Sequence, residues 1–210
     1  SIIELAGFDG GQGAVISAAV LDVTLADGSD VTTLEARDGV RLQLPVTPDG
    51  ARQEIRAGRM VPTGAPGAAM TSVRFQGNVT YQERRTATST ADAVSRNITA
   101  DSLDAGVEEG LSALLQATFL GHVRFEDDTH TGAADEVVYD VTAGLVTLGA
   151  VGDAGTAPSM TVGTFRIDAP TIELVLDAST LTASGGVTSV LTPTDGDDET
   201  AGSGGGTLPA

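Results

Sequence analysis

The sequence predicts an elongated all-β fold built from repeated hairpins, on the strength of two observations. Apolar and polar residues alternate over long stretches. One sequence motif, which we call a phrase, also recurs five times. It has four positions, each two residues apart: an apolar residue, then a second apolar or small residue, then usually a glycine, and last a valine. A single hairpin cannot bury its own apolar face, so similar hairpins must stack into one sheet structure. We therefore expect a surface, and not a catalytic cluster, to carry the function. The five copies are Leu34, Ala36, Asp38 and Val40; Val73, Phe75, Gly77 and Val79; Ala117, Phe119, Gly121 and Val123; Leu145, Thr147, Gly149 and Val151; and Leu181, Ala183, Gly185 and Val187.

A second apolar phrase precedes each copy of the first, which predicts two strands per repeat. The distance between successive copies varies, and hairpin loops of different length account for this variation. The preceding phrases are Ile16, Ala18 and Leu21; Ile55, Ala57 and Met60; Ile98, Ala100 and Leu103; Gly132, Ala134 and Val137; and Ile167, Ala169 and Ile172.

The alternation is clearest between residues 115 and 125, where it predicts a strand with one buried and one exposed face. The same pattern occurs between Val73 and Tyr81. The residues expected to be buried are Leu115, Ala117, Phe119, Gly121, Val123 and Phe125, and those expected to be exposed are Gln116, Thr118, His122 and Arg124.

Turns and loops are marked by glycine, proline and acidic residues. The turn dipeptides are Asp27-Gly28, Asp49-Gly50 and Gly185-Gly186. Longer exposed loops are predicted at residues 63–68 and 152–158. Residues 104–115 are the one segment in which the pattern allows a short helix, although Gly106 and Gly110 weaken it.

Two regions are predicted: a β-structured unit over residues 1–191 and an acidic, Gly/Ser-rich flexible tail over residues 192–210. No stretch approaches the roughly 20 apolar residues that span a bilayer. The chain starts at Ser1, which leaves room for an N-terminal signal or inner-membrane anchor having been removed.

The composition narrows the possible functions. The net charge is −18, so the chain repels polyphosphate and we expect no nucleic-acid partner. There is no Cys, which excludes disulfides and thiolate chemistry. Aromatic residues make up 3% of the chain and Trp is absent, so an apolar interior would be mainly aliphatic and suited to acyl chains.

Neither metal binding nor catalysis is predicted. The compact set of possible metal ligands is His122, Glu126, Asp127, Asp128 and His130, but a charged hairpin end explains it more simply. The chain has two histidines, and neither lies in a motif that activates a nucleophile. We therefore expect a protein that is not an enzyme and that carries no cofactor.

Four segments repeat related combinations of glycine, alanine and valine in a fixed order. They are Phe75-Gln76-Gly77-Asn78-Val79-Thr80-Tyr81, Ile98-Thr99-Ala100-Asp101-Ser102-Leu103, Gly132-Ala133-Ala134-Asp135-Glu136-Val137-Val138-Tyr139 and Leu181-Thr182-Ala183-Ser184-Gly185-Gly186-Val187. These segments resemble the OstA-like family of periplasmic lipopolysaccharide-transport proteins, which includes LptA and LptC. In that family, phrases like "GxAxxxxY" alternate with phrases like "LxGNV", and this chain keeps the order from about Ile16 to Val190. The opening residues are more similar to the LptC-type domain, and whether the chain is of LptA or LptC type stays open.

The resemblance implies an antiparallel β-jellyroll that is open along one side, in the periplasm of a Gram-negative cell. It also implies that acyl chains of lipopolysaccharide or a related glycolipid lie between the sheets, and that edge strands pair with other jellyroll proteins of a transport bridge. The lipid contacts expected on this basis are Val73, Phe75, Val79, Phe119, Val123, Phe125, Tyr139, Ile172 and Leu174.

An alternative function stays open at this point. The same alternation fits a structural or adhesive β-repeat module of an exported protein, with a filled core and no ligand. The charge of −18 disfavours a phosphorylated head group unless the groove mouth is locally basic. Arg84-Arg85 is the adjacent basic pair that we consider for such a mouth.

Overall fold

The protein is an antiparallel β-jellyroll, which confirms the all-β class that the sequence predicts and the jellyroll that the resemblance implies. A computed structural model describes residues 1–4, 13–25, 31–63, 71–88, 92–152 and 155–191, and every strand pairing in it is antiparallel. Within those residues, no helix has the length and apolar character needed to cross a membrane. The strands are β1 (Ile2–Glu4), β2 (Val15–Ser17), β3 (Val20–Leu25), β4 (Val31–Gln43), β5 (Arg52–Pro62), β6 (Ser72–Arg85), β7 (Val94–Val107), β8 (Leu114–Glu126), β9 (His130–Asp140), β10 (Leu145–Gly149), β11 (Ser159–Val162), β12 (Phe165–Asp168), β13 (Thr171–Val175), β14 (Thr180–Ser184) and β15 (Thr188–Leu191).

Three of the long central strands bend at the glycine position of the repeat, which Asp38 occupies in β4. In β4, β6 and β8 two successive residues have positive φ: Asp38-Gly39, Gly77-Asn78 and Gly121-His122. The pairing register shifts at each of these places. Such an irregularity bends a strand sharply and increases its local twist. Each long strand therefore starts in one layer and ends in the other, and we call the bends the corners.

The corners divide the folded sheet into two facing layers. Sheet A contains β3, the first parts of β4, β6 and β8, the last parts of β5, β7 and β9, and then β10, β13 and β14. Sheet B contains β1, β2, the remaining parts of β4 to β9, and then β11, β12 and β15. The chain passes from one layer to the other once in each predicted phrase except the one that begins at Leu145.

The side opposite the corners has no such continuity, and we call it the seam. There sheet A ends in turns at residues 108–113, 141–144 and 176–179, and sheet B ends in turns at residues 127–129 and 163–164. Among the strands that the structure describes, no backbone pairing joins the two sheets along the seam. Within the described residues, side chains alone therefore hold the layers together on this side.

The core lies between the two layers. The rings of Tyr81 in sheet B and Phe119 in sheet A have centroids 6.0 Å apart. A Cβ added at Gly132 of sheet B would lie 2.9 Å from Cδ2 of Leu148 in sheet A, so a glycine lets the layers approach there. Full burial of one such large apolar side chain contributes about 1.5 to 3 kcal/mol.

Three of the five copies fit the predicted inward row. The fourth does not, and in the fifth Val187 is 51% exposed. In β4, β6 and β8 the apolar members of the phrase are buried. On β10 the buried residues are Val146 and Leu148, whereas Val151 is 54% exposed. Val146 pairs with Tyr139, and this register turns the phrase that begins at Leu145 outward. The prediction for that copy was therefore wrong by one residue.

Two predictions between residues 104 and 115 are also wrong. The possible helix is strand β7 up to Val107, followed by a single 3-10 turn at Glu109–Leu111. Leu115 is 40% exposed and Leu114 is 3% exposed, the reverse of what the alternation predicts. The register shift beside Val107 is the cause, because one extra residue exchanges the two faces of the strand.

The predicted turns at Asp49-Gly50 and Gly185-Gly186 are confirmed, since all three glycines have positive φ. Gly152 also has positive φ, in the loop before β11. The predicted turn at Asp27-Gly28, most of the predicted loop at 63–68 and the predicted tail at 192–210 lie outside the described residues.

Candidate functional site

The interior between the sheets contains all nine predicted lipid contacts. None of these side chains is more than 3% exposed, so they pack against one another. Sheet A contributes Val73, Phe75, Phe119, Tyr139, Ile172 and Leu174, and sheet B contributes Val79, Val123 and Phe125. The structure thus brings the predicted residues together in one closed apolar core between the two sheets.

Polar side chains occupy the inner face of sheet B next to the seam. Gln53, Glu83 and Arg96 are direct cross-strand neighbours on β5, β6 and β7, and each is at most 9% exposed. His130, at the start of β9, is 7% exposed and lies at the same end of the sheet. We call these four residues the seam row. An apolar core therefore ends in a polar margin on one side.

A hydrogen-bonded cluster connects the seam row to the opposite sheet. Arg96 forms an ion pair with Glu83, and its Nη1 donates to the hydroxyl of Tyr139 at 2.9 Å. The Tyr139 hydroxyl donates to Oε2 of Glu83 at 3.2 Å. Tyr81 donates to the same oxygen at 3.1 Å. Because Tyr139 belongs to sheet A and the other three to sheet B, we call Glu83, Arg96 and Tyr139 the cross-sheet bridge.

The cross-sheet bridge lies in a buried environment of low dielectric constant. Burial raises the pKa of Tyr81 and of Tyr139, and the charge of Glu83 raises each pKa further. Both phenols therefore remain protonated donors at neutral pH. Arg96 Nε is buried and has no hydrogen-bond partner in the part of the chain that the structure describes. An Arg–Glu pair in such a place is costly to break from one side, because the remaining charge has no partner.

Sequence reasoning found Tyr139 but missed Glu83, Arg96 and Tyr81. The signal was present, since Val79, Tyr81 and Glu83 share one phase of β6. Arg96 likewise shares the inward phase of β7 with Ile98. An oppositely charged pair at two inward positions of neighbouring strands indicates a buried ion pair.

A cleft of about 370 Å³ lies at the seam beside the bridge. Arg85 and Arg96 line it from sheet B, and Leu176, Asp177 and Ser179 line it from the β13–β14 turn of sheet A. Arg85 of the basic pair thus lines the seam, where it forms an ion pair with Asp49. Arg84 points to the outer face of sheet B.

The two histidines do not form a site together. His122 lies at a corner, 92% exposed, with its Nδ1 2.8 Å from Oδ2 of Asp101. His130 is buried at the seam, and its Nδ1 faces both Asp127 and Thr129 within one turn. Among the described residues, no group of three or more His, Cys, Asp or Glu is arranged to hold a metal ion.

Both ends of the jellyroll carry strands that are paired on one side within the described residues. These are β1 and β3 at the N-terminal end and β14 and β15 at the C-terminal end. At the C-terminal end Val190 is 50% exposed and Leu191 is 66% exposed. Free backbone groups beside exposed apolar side chains are a template for strand addition.

Comparison with known proteins supports the fold. No protein-family model matches the chain, and no curated protein sequence matches it significantly. Among the solved structures that match is the crystal structure of LptH from Pseudomonas aeruginosa, described as the LptA-homologous periplasmic component of the conserved lipopolysaccharide transport device. The TM-score is 0.50 at 11% identity, and the match covers 67% of this chain and 95% of LptH. This chain therefore has an LptA-like fold.

Proposed function

We propose that this protein is a periplasmic component of a lipid-transport bridge and shields the acyl chains of lipopolysaccharide, or of a related glycolipid, during transport to the outer membrane. The observation that carries the proposal is the interior itself. Two apolar layers face each other, joined by the backbone at the corners and, among the described residues, by side chains alone at the seam. The likeness to LptH supports the same function.

Lipid entry requires the seam to open, because the interior is already packed. The inner side chains stay out of water in both states, so the net gain comes from the acyl chains. Each methylene moved out of water contributes about 0.8 kcal/mol. The contacts proposed for the chains are the nine interior residues, with Phe75, Phe119 and Phe125 providing the largest apolar surfaces.

The partners proposed for the two ends are other jellyroll proteins of the same bridge, joined by edge-strand pairing. The one-sided pairing of β15 and the exposure of Val190 and Leu191 support this. Leu191→Asp should weaken end-to-end association in sedimentation velocity. Val175→Asp, on a strand paired on both sides, is the control. Equal effects of both would contradict the proposal.

The packed interior also favours the second candidate, a structural module with a filled core and no ligand. Native mass spectrometry of the unmodified chain after incubation with lipid A separates the two functions. A saturable adduct supports lipid binding, and a clean apo mass at high lipid A supports the structural module.

Photo-crosslinking then locates the lipid. Benzoyl-phenylalanine at position 119 replaces an inward residue, and at position 120 it replaces its outward neighbour on β8. We expect cross-links to lipopolysaccharide at position 119, reduced by excess lipid A, and few at position 120. Benzoyl-phenylalanine at position 75 provides a second inward site if the first variant unfolds. Equal cross-linking at positions 119 and 120 in folded protein would contradict an interior site.

A further inference from the structure

The outer face of sheet B carries a positively charged cleft on a strongly acidic protein. The cleft has a volume of about 510 Å³ and is lined by Arg41, Arg52, Arg56 and Arg84, with Glu54 as its acidic residue. The net charge of the chain is −18. We call this the arginine cleft. Four guanidinium groups around one carboxylate give it a local charge opposite to that of the protein.

The one carboxylate that lines the cleft, Glu54, already has two guanidinium partners. Arg41 donates to Glu54 Oε2 at 2.6 Å and Arg56 donates to Oε1 at 2.5 Å. Gln43 donates to Oε2 at 3.3 Å. Burial acts to raise the pKa of Glu54, but these two arginines outweigh burial and lower the pKa below its ordinary value. Glu54 is therefore ionised and committed to Arg41 and Arg56.

The remaining two arginines face each other without a counter-charge. Arg52 on β5 and Arg84 on β6 are direct cross-strand neighbours. Neither forms an ion pair with any residue that the structure describes. Their next neighbour in the same row, on β7, is Ser95. Like charges directly opposite in a sheet repel, so an anion between them would relieve an unfavourable contact.

Most other arginines in the described ranges do have carboxylate partners. The pairs are Arg37 with Asp22, Arg59 with Glu35, Arg74 with Asp104, Arg85 with Asp49 and Arg166 with Asp168. In a chain this rich in acid, leaving two adjacent arginines without one distinguishes the arginine cleft from the rest of the outer surface.

We propose that the arginine cleft binds a phosphate group, with Arg52 and Arg84 as its principal ligands and Arg41 and Arg56 as its flank. Guanidinium groups present paired N–H donors that match phosphate oxygens. Leu44 and Gln53 also line the cleft, and both turn inward near the seam. The phosphate group belongs either to a soluble phosphorylated sugar or to the head group of a lipid held in the interior. The lipid source rests on the proposed function, and the cleft itself does not.

Isothermal titration calorimetry at low ionic strength tests the site with inorganic phosphate and with glucose 1-phosphate. Arg52→Gln and Arg84→Gln should each weaken phosphate binding about tenfold. Arg124→Gln is the matched control, because Arg124 is an exposed arginine of the same sheet, has no ion pair among the described residues and changes the charge equally. Chemical shifts of arginine Nε–Hε groups should move for Arg52 and Arg84 on addition of phosphate.

Lipid A and its fully dephosphorylated form, each in detergent micelles, distinguish the source. If wild type prefers lipid A over its dephosphorylated form and Arg52→Gln loses this preference, the phosphate belongs to a lipid head group. Binding of glucose 1-phosphate with no uptake of lipid A identifies a soluble sugar and contradicts the proposed function. The arginine cleft is overturned if wild type and Arg52→Gln bind lipid A equally. It is also overturned if Arg124→Gln weakens phosphate binding as much as Arg52→Gln and Arg84→Gln do. Absence of binding by either soluble probe and absence of any preference for lipid A overturn it as well.

Discussion

Arg96 on β7 and Tyr139 on β9 meet across the interior, with Nη1 of the arginine 2.9 Å from the tyrosine hydroxyl and its guanidinium carbon 5.2 Å from the centre of the ring. The two residues belong to different sheets. The contact therefore lies where the backbone provides no connection, and it fastens the seam through a hydrogen bond and a cation–π contact. Opening the interior to a lipid requires this contact to break.

Tyr139→Phe should loosen the seam while leaving the core packing intact. It removes the hydroxyl that links sheet A to Glu83 and Arg96. We expect amide hydrogen exchange to become about tenfold faster in the last part of β9 and in β10, because hydrogen bonds to charged groups contribute about 1.5 to 3 kcal/mol. Tyr81→Phe is the control, since it removes a bond of similar length to Glu83 within sheet B. Equal acceleration by both variants would show that the bridge does not fasten the seam.

Arg96→Met should destabilise the protein by about 3 kcal/mol, because it leaves Glu83 buried without its charged partner. Adding Glu83→Leu should restore most of that loss, since an apolar pair of similar volume needs no desolvation. Urea denaturation measures the free energies of unfolding of Arg96→Met, of Glu83→Leu and of the double variant. A double variant as unstable as the sum of the two single variants would contradict a coupled pair.

Gly121→Ala should cost more than Gly39→Ala, although both glycines have similar positive φ at corners. An added Cβ at Gly39 meets no atom within 4 Å, whereas at Gly121 it would overlap with Oδ2 of Asp101. We expect a loss of about 1 kcal/mol for Gly39→Ala from the backbone conformation alone. The larger loss for Gly121→Ala should appear in thermal denaturation. Equal losses would mean that the Asp101 side chain moves aside freely.

His122 should titrate above its ordinary pKa. The hydrogen bond that the imidazole donates to Asp101 is the main cause of the raised pKa, and the negative charge of Asp101 is the second. Stabilisation by this pair is fully present below the ordinary pKa and is lost as the pH rises through the folded value. Proton NMR titration should show the pKa of His122 falling to its ordinary range in Asp101→Asn. An unchanged pKa in that variant would contradict the pairing.

Much of the interior followed from alternation alone. Val73, Phe75 and Val79 lie inward because side chains alternate along a strand and the apolar set must leave water together. The predictions failed where a bulge or a new register exchanged the faces, at Leu115 and on β10. Such a register shift depends on how a strand pairs with its neighbour, so it cannot be predicted from the sequence of one strand alone.

The site was predictable only in part. The inward phase of Glu83 and Arg96 could be read from the chain, but their contact with Tyr139 could not. Glu83 and Tyr139 are 56 positions apart in sequence, and the corners bring them together. The arginine cleft depends on tertiary structure for the same reason, since Arg52 and Arg84 become neighbours through strand pairing.

The sequence by itself determined the all-β class, the repeat and the apolar composition of the interior, because these depend on local alternation and on the type of residue. Only the tertiary structure decided where each strand bends, which polar residues fasten the seam and which arginines lie together. Those features arise from contacts between distant segments. Their energies depend on burial and register, which exist only once the two sheets have closed on each other.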